Sequence, residues 1–334
     1  MRYTVPGLSP LSVDLRLQSS RKCMRKGWLH EGAVTPGAGV PEVALYLSRI
    51  TDLPYREAVY WKRLLKTDED GTKPARIYFG NEFCQERVPE KVELEASCSA
   101  IREAGLPLSF VTPPVNDRGC GILLKRLTDL QIWFPGSEVV VNDWGVLAMA
   151  TREFSNVKPV LGRLMVRQQR MARFARRRLP PVNTKQIQTP AETLRASQLE
   201  ALRRVNLSCA EYRHRLRALG VRRVDIDIVP QGIEMPKDAW GFGVGCYYPW
   251  TYITGGRNCL TGALADQLRE HVVVDGRCPK PCRELNRSKV NDLVGMEIAQ
   301  RGNSVFLANY KFAEPYLSGL VPVDRLILEP YIPI

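Results

Sequence analysis

A regular alternation of strand-like and helix-like segments constrains the fold of this chain more than any other feature. Short apolar strands are predicted at residues 76–80, 108–112, 138–142 and 159–162, and a helix is predicted at 90–104. Strands that alternate with helices pair in parallel, because each crossover returns the chain to the same edge of the sheet. The alternation therefore predicts an α/β fold with a parallel sheet.

Further strand-like segments extend this alternation along the chain. A strand is predicted at 2–6, another within VRRVDIDIVP after Gly220, and three more near 242–247, 305–309 and 326–329. About eight such strands fit a closed (β/α) barrel, in which functional side chains lie at the carboxyl ends of the strands. An open doubly wound sheet is the alternative, but the chain has neither a P-loop nor a G-x-G-x-x-G motif after its first strand. We therefore predict a single barrel-like domain.

The first 75 residues are expected to form an irregular extension. Beyond the predicted strand at 2–6, about forty residues are rich in Gly, Pro and Ser and show no clear period. Pro54 begins a predicted helix in which Ala58, Trp61 and Leu65 recur at helical spacing. The predicted organisation is thus an extension with one strand and one helix at 1–75, followed by the barrel at 76–334.

The composition is that of a globular protein, with 44% hydrophobic and 25% charged residues. The sequence has no run of eighteen apolar residues that would span a membrane, and its start lacks the features of a secretory signal. We therefore expect a cytoplasmic protein, in which nine cysteines favour free thiols and metal ligands over disulfides. A formal net charge of +13 favours nucleic acid, an anionic small molecule or an acidic protein as the partner.

Three cysteines lie close together late in the chain. Cys278 and Cys282 are separated by three residues that include Pro279 and Pro281, and Cys259 precedes them. Thiolates bind zinc and iron–sulfur clusters, and the prolines would stiffen a loop that carries such ligands. The alternative is chance spacing of small buried residues, because C-x-x-x-C is a weak signal on its own. The spacing leaves both interpretations open.

Polar residues follow several of the predicted strands. Asn142 and Asp143 follow three valines, and they are candidates either for capping a helix that begins near Trp144 or for contacting a substrate. Arg163 ends another predicted strand and is expected to point into the barrel mouth, and Asp227 is expected to face the barrel interior. These four polar residues are the candidate catalytic residues. The histidines form no hydrolytic triad or H-E-x-x-H pattern.

A basic segment at 163–178 contains seven arginines and no acidic residue. Some of these arginines are three or four residues apart and would form one cationic stripe if the segment were helical. They are Arg163, Arg167, Arg170, Arg173 and Arg177. Such a stripe is either a solvated helix face or a docking surface for a carboxylate-bearing substrate, RNA or an acidic partner.

Four short motifs give the chain a resemblance to a known family. They are YFGNEFC at 78–84, VNDWG at 141–145, TGGRNC at 254–259 and CPKPC at 278–282. The order and rough spacing of these motifs resemble those of the collagenase-like U-32 peptidase superfamily. Within this superfamily, the chain resembles the branch of UbiV/UbiU-type iron–sulfur proteins. The similarity extends from Arg76 to the terminal EPYIPI, whereas the first seventy residues match this family poorly.

The resemblance implies a 4Fe–4S cluster held by Cys84, Cys259, Cys278 and Cys282, with zinc in the same four sulfurs as the alternative. The implied fold is a barrel-like α/β domain. Its cysteine-rich late insertion, which includes the cluster loop at 246–283, would lie across the barrel mouth. The remaining cysteines would be bystanders, and Cys246 is the main rival ligand among them.

The resemblance also implies a function in oxygen-independent hydroxylation. The chain would be one subunit of an anaerobic hydroxylase that acts on a small aromatic ring or quinone precursor, as in ubiquinone biosynthesis, beside a paralogous U-32-family subunit in a heterodimer. Hydroxylation of tRNA or ribosomal RNA bases is the alternative function, which the arginine-rich segment would suit. A subunit with a purely structural cluster, and a collagenase-like peptidase with no visible hydrolytic machinery, are the remaining alternatives.

Overall fold

Eight parallel strands form a closed barrel in the computed structural model, which describes residues 42–48, 74–170, 190–256, 258–265, 278–291, 295–317 and 320–334. The barrel strands are β1 (Glu42–Leu47), β2 (Arg76–Gly80), β3 (Leu108–Val111), β4 (Glu138–Val141), β5 (Lys158–Leu161), β6 (Arg223–Asp227), β7 (Gly243–Tyr248) and, after four further strands, β12 (Arg325–Leu328). Their order around the barrel is β1-β12-β7-β6-β5-β4-β3-β2. The predicted α/β barrel-like fold is confirmed.

In the described part of the chain, five helices connect barrel strands and cover the outside of the barrel. They are α1 (Lys91–Glu103), α2 (Asp117–Trp133), α3 (Trp144–Glu153), α4 (Pro190–Arg203) and α5 (Ala210–Ala218), and two short helices, α6 (Leu260–Ala265) and α7 (Glu314–Leu317), lie between β7 and β12. In α1, Leu94, Cys98 and Ile101 recur at helical spacing and are buried, so this helix packs on the barrel through one apolar face. A bilayer-spanning helix, which needs a long apolar stretch, is absent from the described residues.

The segment between β7 and β12 forms a second sheet, which we call the insertion. Its antiparallel strands are β8 (Trp250–Gly255), β9 (Asn286–Asn291), β10 (Met296–Arg301) and β11 (Ser304–Ala308), in the order β8-β11-β10-β9. The strand predicted at 305–309 therefore exists as β11, but its expected place in the barrel is wrong. Only Gly302 and Asn303 separate β10 from β11, and such a short turn forces antiparallel pairing.

The first barrel strand lies within residues 1–75, where we expected an irregular extension. β1 has the sequence EVALYL and pairs in parallel with β12 and β2, so the barrel begins at Glu42 and not at residue 76. Most of its residues are buried, and a strand covered on both faces shows no apolar–polar alternation. The strand predicted at 2–6 and the helix predicted from Pro54 lie outside the described residues.

Three hydrophobic cores follow from this architecture. The largest lies between the barrel wall and the helices. A second fills the barrel interior, where Tyr46, Tyr78 and Tyr247 pack with small and branched apolar residues. The third joins the insertion to the barrel mouth and includes Phe83 and Trp250. The insertion therefore closes the carboxyl end of the barrel, the end at which (β/α) barrels carry their functional groups.

Candidate functional site

A buried arginine lies at the carboxyl end of the barrel among three carboxylates. Arg163 follows β5 and donates to Glu82 Oε2 at 2.8 Å, Asp227 Oδ1 at 3.0 Å and Glu329 Oε1 at 2.5 Å. All four side chains, which we call the mouth cluster, are fully buried. Glu82 follows β2, Asp227 ends β6 and Glu329 follows β12, so the barrel topology brings them together. Charges removed from water in this way persist only where they pair with one another.

The charges of the mouth cluster are not evenly balanced. Arg170 adds a second cation, since its Nε lies 2.8 Å from Asp227 Oδ2, so that three carboxylates face two guanidinium groups. Burial raises the pKa of Glu82 and of Glu329, although Arg163 opposes the shift in both cases. Glu329 Oε2 is buried and has no hydrogen-bond partner among the described residues. This arrangement favours a proton on Glu329.

The mouth cluster also attaches the insertion to the barrel. Arg163 NH1 donates to the carbonyl oxygen of Trp250 at 3.0 Å. Asp227 Oδ1 accepts the backbone N–H of Tyr252 at 3.2 Å. Trp250 and Tyr252 both lie in β8, the first strand of the insertion. Removal of Arg163 or Asp227 would therefore break bonds between the two parts of the molecule as well as bonds inside the barrel.

Four cysteines converge where the insertion meets the barrel mouth. Cys84 follows β2, Cys259 directly precedes α6, and Cys278 and Cys282 flank the Pro-Lys-Pro turn. Burial, together with the charges of the other three thiols, raises the pKa of the Cys84 thiol to about 12, against the lowering effect of a backbone N–H. Because such electrostatic effects weaken with distance, all four sulfurs are near one another. Each is a free thiol.

Backbone N–H groups point at three of these four sulfurs. The N–H of Gly262 lies 3.2 Å from Cys259 Sγ, and the N–H of Lys280 lies 3.3 Å from Cys278 Sγ. The backbone of Glu86 donates to Cys84 and lowers the pKa of its thiol, although burial dominates. Hydrogen bonds of this kind stabilise negative charge on sulfur, the form in which cysteine binds metals.

The YFGNEFC motif forms a turn that aims two side chains in different directions. Gly80 has a φ of +131°, and a Cβ there would lie 2.3 Å from the carbonyl oxygen of Val111. The side chain of Asn81 then accepts the N–H groups of Phe83 at 3.1 Å and Cys84 at 2.8 Å. As a result, Glu82 reaches Arg163 inside the barrel while Cys84 faces the cysteines of the insertion.

The CPKPC turn is held in place by one arginine of the insertion. Arg301 in β10 donates to the carbonyl oxygens of Cys282 at 2.8 Å and Arg283 at 3.3 Å. It also donates to the carbonyl oxygen of Ile332 at 2.7 Å, in the last residues of the chain. The turn is therefore fixed between the insertion and the carboxyl-terminal segment.

Phe83 lies between the mouth cluster and the cysteines. Its ring stacks on Tyr252 with centroids 5.2 Å apart and meets Phe306 edge-on at 5.1 Å. The Arg163 guanidinium lies 5.1 Å from the centroid of the Phe83 ring and 3.7 Å from that of Tyr247. These rings form an apolar wall that separates the two groups of polar side chains.

Two of the four catalytic candidates have structural roles. Asp143 caps α3, since its Oδ1 accepts the N–H of Gly145 at 2.7 Å and of Val146 at 3.2 Å. Asn142 bonds the carbonyl oxygen of Thr112 at 3.0 Å and the N–H of Leu164 at 3.1 Å, and it thereby joins neighbouring strand ends. Asn142 Nδ2 also donates to Glu82 Oε1 at 3.5 Å and so contacts the mouth cluster, to which Arg163 and Asp227 belong. A catalytic role for any of the four remains a prediction.

The prediction of a helical arginine stripe is wrong for the residues that the structure describes. Residues 163–170 form a turn, a bend and irregular backbone, not a helix. Arg163 is fully buried, and Arg170 donates to Asp227 and, at 2.6 Å, to the carbonyl oxygen of Arg163. The buried acids draw these two arginines inward and leave Arg167 exposed. Arg173 and Arg177 lie outside the described residues.

Sequence reasoning did not single out Glu82 and Glu329 as site residues. Their signal was the same as for Arg163, a charged residue within two positions of the end of an apolar strand, in RIYFGNE and RLILE. The rival ligand Cys246 lies in β7 between Ile226 and Leu326 and packs in the main hydrophobic core. Within the part of the chain described here, no group of three or more His, Cys, Asp or Glu side chains is arranged to hold a metal ion.

Comparisons with known proteins give little similarity. No protein-family model matches the chain, and no curated protein matches it. A solved U-32 peptidase structure aligns at 12% identity with a TM-score of 0.36, covering 90% of this chain and 97% of that one. A glycoside hydrolase family 18 N-acetylglucosaminidase from Paenibacillus barengoltzii aligns at 9% identity with a TM-score of 0.31, covering 86% and 94%. Similarities this low identify neither a family nor an activity.

Proposed function

We propose that this chain is a U-32-type iron–sulfur protein whose 4Fe–4S cluster is held by Cys84, Cys259, Cys278 and Cys282. The observation that carries the proposal is the convergence of these four free thiols from the barrel and the insertion. The sequence separates Cys84 from the other three by more than half of the chain, and chance gives no reason for them to meet.

The donor set fits such a cluster in its chemistry. Four thiolates are the usual protein ligands of a 4Fe–4S cluster, and backbone N–H groups already point at three of the sulfurs. A cluster spreads its ligands over four irons, whereas a single zinc ion gathers four sulfurs at about 2.3 Å. Iron and zinc analysis of the purified protein distinguishes these two arrangements.

A bound cluster would supply one-electron transfer, and the protein residues would set its position and surroundings. The Asn81 turn orients Cys84, and Arg301 fixes the backbone on either side of Cys282. Phe83 and Phe306 pack with Cys282 in one buried apolar core and would keep the cluster's surroundings apolar on that side. Hydrogen bonds to the sulfurs and burial are two of the features by which proteins set cluster potentials.

We further propose that the protein works in an oxygen-independent hydroxylation system, beside a paralogous U-32-type subunit and on a small aromatic or quinone-precursor ring. The resemblance of the four motifs to UbiV/UbiU-type proteins supports this part of the proposal. Within the site, Glu329 would hold a proton at its carboxyl group, and Arg163 would stabilise negative charge at the barrel mouth. Both would lie on the other side of Phe83 from the cluster.

Anaerobic purification followed by iron and sulfide quantification tests the cluster. We expect about four irons and four sulfides per chain, with the absorption and spin-resonance spectra of such a cluster. Iron, sulfide and these spectra should be lost when Cys84, Cys259, Cys278 or Cys282 is replaced by alanine. The matched control Cys246→Ala should keep them, because this buried thiol lies in the barrel wall. Stoichiometric zinc, or no metal, would contradict the redox function.

Co-expression with a paralogous U-32-type chain tests the hydroxylation system. We expect the pair, but not this chain alone, to hydroxylate a small aromatic or quinone-precursor ring without dioxygen when a hydroxylated organic compound is supplied as both the oxygen donor and the two-electron oxidant. Turnover by the isolated chain would contradict the role of one subunit in a pair. If neither the pair nor the isolated chain hydroxylates the ring although the cluster is intact, the proposal of an iron–sulfur protein stands and the proposed reaction is wrong.

A further inference from the structure

An open groove runs between α3 and α5 on the outside of the barrel, away from the mouth cluster. Its volume is about 880 Å³, a size typical of small-molecule sites. Trp144 lines one end, and the first residues of β5 and β6 line the other. Most of the groove therefore lies toward the amino-terminal end of the barrel, opposite the cysteines.

Positive charge collects along this groove. The basic side chains that line it are Arg152, Lys158, Arg215, Arg222 and Arg223. Glu138 also lines the groove, but its carboxylate is bound by Arg325 at 2.7 Å and by Ser109 at 2.6 Å. Arg223 pairs with Asp324 at 2.6 Å. The groove therefore has more cations than acidic partners.

The side chains of three of these cations have no partner among the described residues. The charged groups of Arg152, Lys158 and Arg215 are exposed and form no hydrogen bond or ion pair there. Arg152 and Arg215 lie in the last turns of α3 and α5, where a cation offsets the partial negative charge of the helix end. That effect does not explain why Lys158, at the start of β5, faces the same groove. A bound anion would compensate all three.

The other end of the groove offers a flat apolar surface. Trp144 opens α3, is 49% exposed and meets Tyr212 edge-on with ring centroids 6.0 Å apart. Ala148 lies one turn further along the same face and leaves the groove open between the indole and Arg152. The helix rises about 12 Å from Trp144 to Arg152, at about 1.5 Å per residue. A ligand that meets both ends therefore carries a flat ring and an anionic group about 12 Å apart.

We propose that this groove binds a nucleotide, with its base against Trp144 and its phosphates among Arg152, Lys158 and Arg215. One guanidinium group can donate two parallel hydrogen bonds to the oxygens of a phosphate, and nucleotide bases stack on exposed aromatic rings. The groove lacks the glycine-rich loops of the common nucleotide folds, so recognition would come from side chains alone. The inference goes beyond the proposed iron–sulfur function and does not depend on it.

Calorimetric titration of the full chain with ADP tests the proposal. We expect ADP to bind more tightly than pyrophosphate or adenosine alone, because only ADP reaches both ends of the groove. Binding should weaken at least about tenfold in Trp144→Ala and in the double variant Arg152→Glu/Lys158→Glu. The matched control is Arg287→Glu/Lys289→Glu, which makes the same charge change at exposed positions of β9 and should bind ADP as the wild type does.

Several results would overturn the proposal. Equal affinity for pyrophosphate and ADP would show that the base adds nothing to binding and that the groove attracts anions without specificity. Equal weakening in the control variant would show that net charge, not the groove, governs binding. Binding of a ten-nucleotide single-stranded RNA without binding of ADP would assign the surface to nucleic acid instead. None of these results depends on whether the cysteines hold a cluster.

Discussion

The two ends of the barrel each enclose an arginine among carboxylates, but the two clusters differ in balance. At the amino end, Arg325 donates to Glu138 Oε2 at 2.7 Å and to Glu42 Oε2 at 2.9 Å. Arg76 lies 3.4 Å from Glu42 and 3.6 Å from Glu138, so two arginines share two acids. We call these four side chains the amino-end cluster. In the mouth cluster, Arg163 contacts three acids, and the second arginine, Arg170, contacts only Asp227 among them.

The pKa values of the acids differ in the same sense. Burial would raise the pKa of Glu138, but Arg325 and Arg76 outweigh burial and lower it. In the mouth cluster, burial outweighs Arg163, and the pKa values of Glu82 and Glu329 rise. The amino-end cluster therefore stabilises the barrel with Glu138 ionised. The mouth cluster holds excess acid at the place where the insertion is attached, which is typical of functional sites.

The largest effect on stability should come from removal of Arg163. Arg163→Met leaves three buried carboxylates with less compensation, and we expect a loss of about 3–5 kcal/mol in the free energy of unfolding. Urea denaturation at neutral pH measures this loss. Arg167→Met is the matched control, since Arg167 is exposed, and it should change stability by less than about 0.5 kcal/mol. If Arg163→Met lost as little stability as this control, the claim that Arg163 compensates three buried carboxylates would be contradicted.

Removal of Arg325 should have a smaller effect. Arg76 remains near both acids, and the Glu42 side chain is 30% exposed, so water compensates part of the lost pairing. We expect Arg325→Met to lose about 2 kcal/mol in the same denaturation experiment. A loss equal to or larger than that of Arg163→Met would break the comparison between the two ends.

Asp225, inside the barrel, should make stability depend on pH. Burial raises its pKa from the ordinary value near 3.8 to about 7, although Arg325 and Arg223 oppose the shift. Because the folded protein holds this proton more tightly than the unfolded chain does, protonated Asp225 adds to the free energy of unfolding. This contribution is fully present below about pH 4 and is lost as pH rises through about 7. The variant Asp225→Asn cannot ionise and therefore avoids this loss. Its free energy of unfolding should exceed that of the wild type by about 1–4 kcal/mol between pH 4 and pH 8.

Urea denaturation of both proteins at pH 5 and pH 8 measures this effect. The difference in stability between Asp225→Asn and wild type should be larger at pH 8 than at pH 5. Glu82 and Glu329 also have raised pKa values, so the variant should keep part of the wild-type pH dependence. An equal difference at the two pH values would show that Asp225 does not titrate in this range.

The smallest effect is expected at Asp143, which lies beside the mouth but caps a helix. Asp143→Ala should lose about 1 kcal/mol, and Asp143→Asn should lose little, because asparagine caps a helix nearly as well. Thermal denaturation distinguishes the two variants. If Asp143→Asn instead abolished activity at unchanged stability, Asp143 would be a substrate contact and the functional site would extend beyond the mouth cluster.

The sequence predicted most of the barrel because its strands are short apolar runs that end in glycine or polar residues. The strand predicted at 138–142, for example, is β4 (Glu138–Val141). β1 was missed because it follows a long stretch without periodicity and because a strand buried on both faces has no alternation. β11 was predicted as a strand, but a single strand pattern does not show which sheet the strand joins.

The site was predictable only in part. Arg163 and Asp227 were recognisable as charged residues at strand ends, and the motif resemblance pointed to the four cysteines. Their partners were not recognisable, because Glu82 and Glu329 are distant from Arg163 in sequence and only barrel closure brings those strand ends together. The inward turn of Arg170 was missed for a related reason, since its partner Asp227 belongs to another strand.

Thiol labelling most directly tests the claim that the mouth cluster, unlike the amino-end cluster, holds the insertion on the barrel. Alkylation of metal-free protein, read by mass spectrometry, follows Cys259 and Cys282, which are 7% and 4% exposed. Cys98 and Cys246, buried in the barrel domain, report on global unfolding. Both variants, Arg163→Met and Arg325→Met, are compared with wild type.

In Arg163→Met, labelling of Cys259 and Cys282 should accelerate at least about tenfold while Cys98 and Cys246 stay protected, because local opening needs less energy than unfolding. In Arg325→Met, all four cysteines should react as slowly as in the wild type. Equal labelling of Cys259 and Cys282 in the two variants would contradict the account, since both ends of the barrel would then affect the insertion alike.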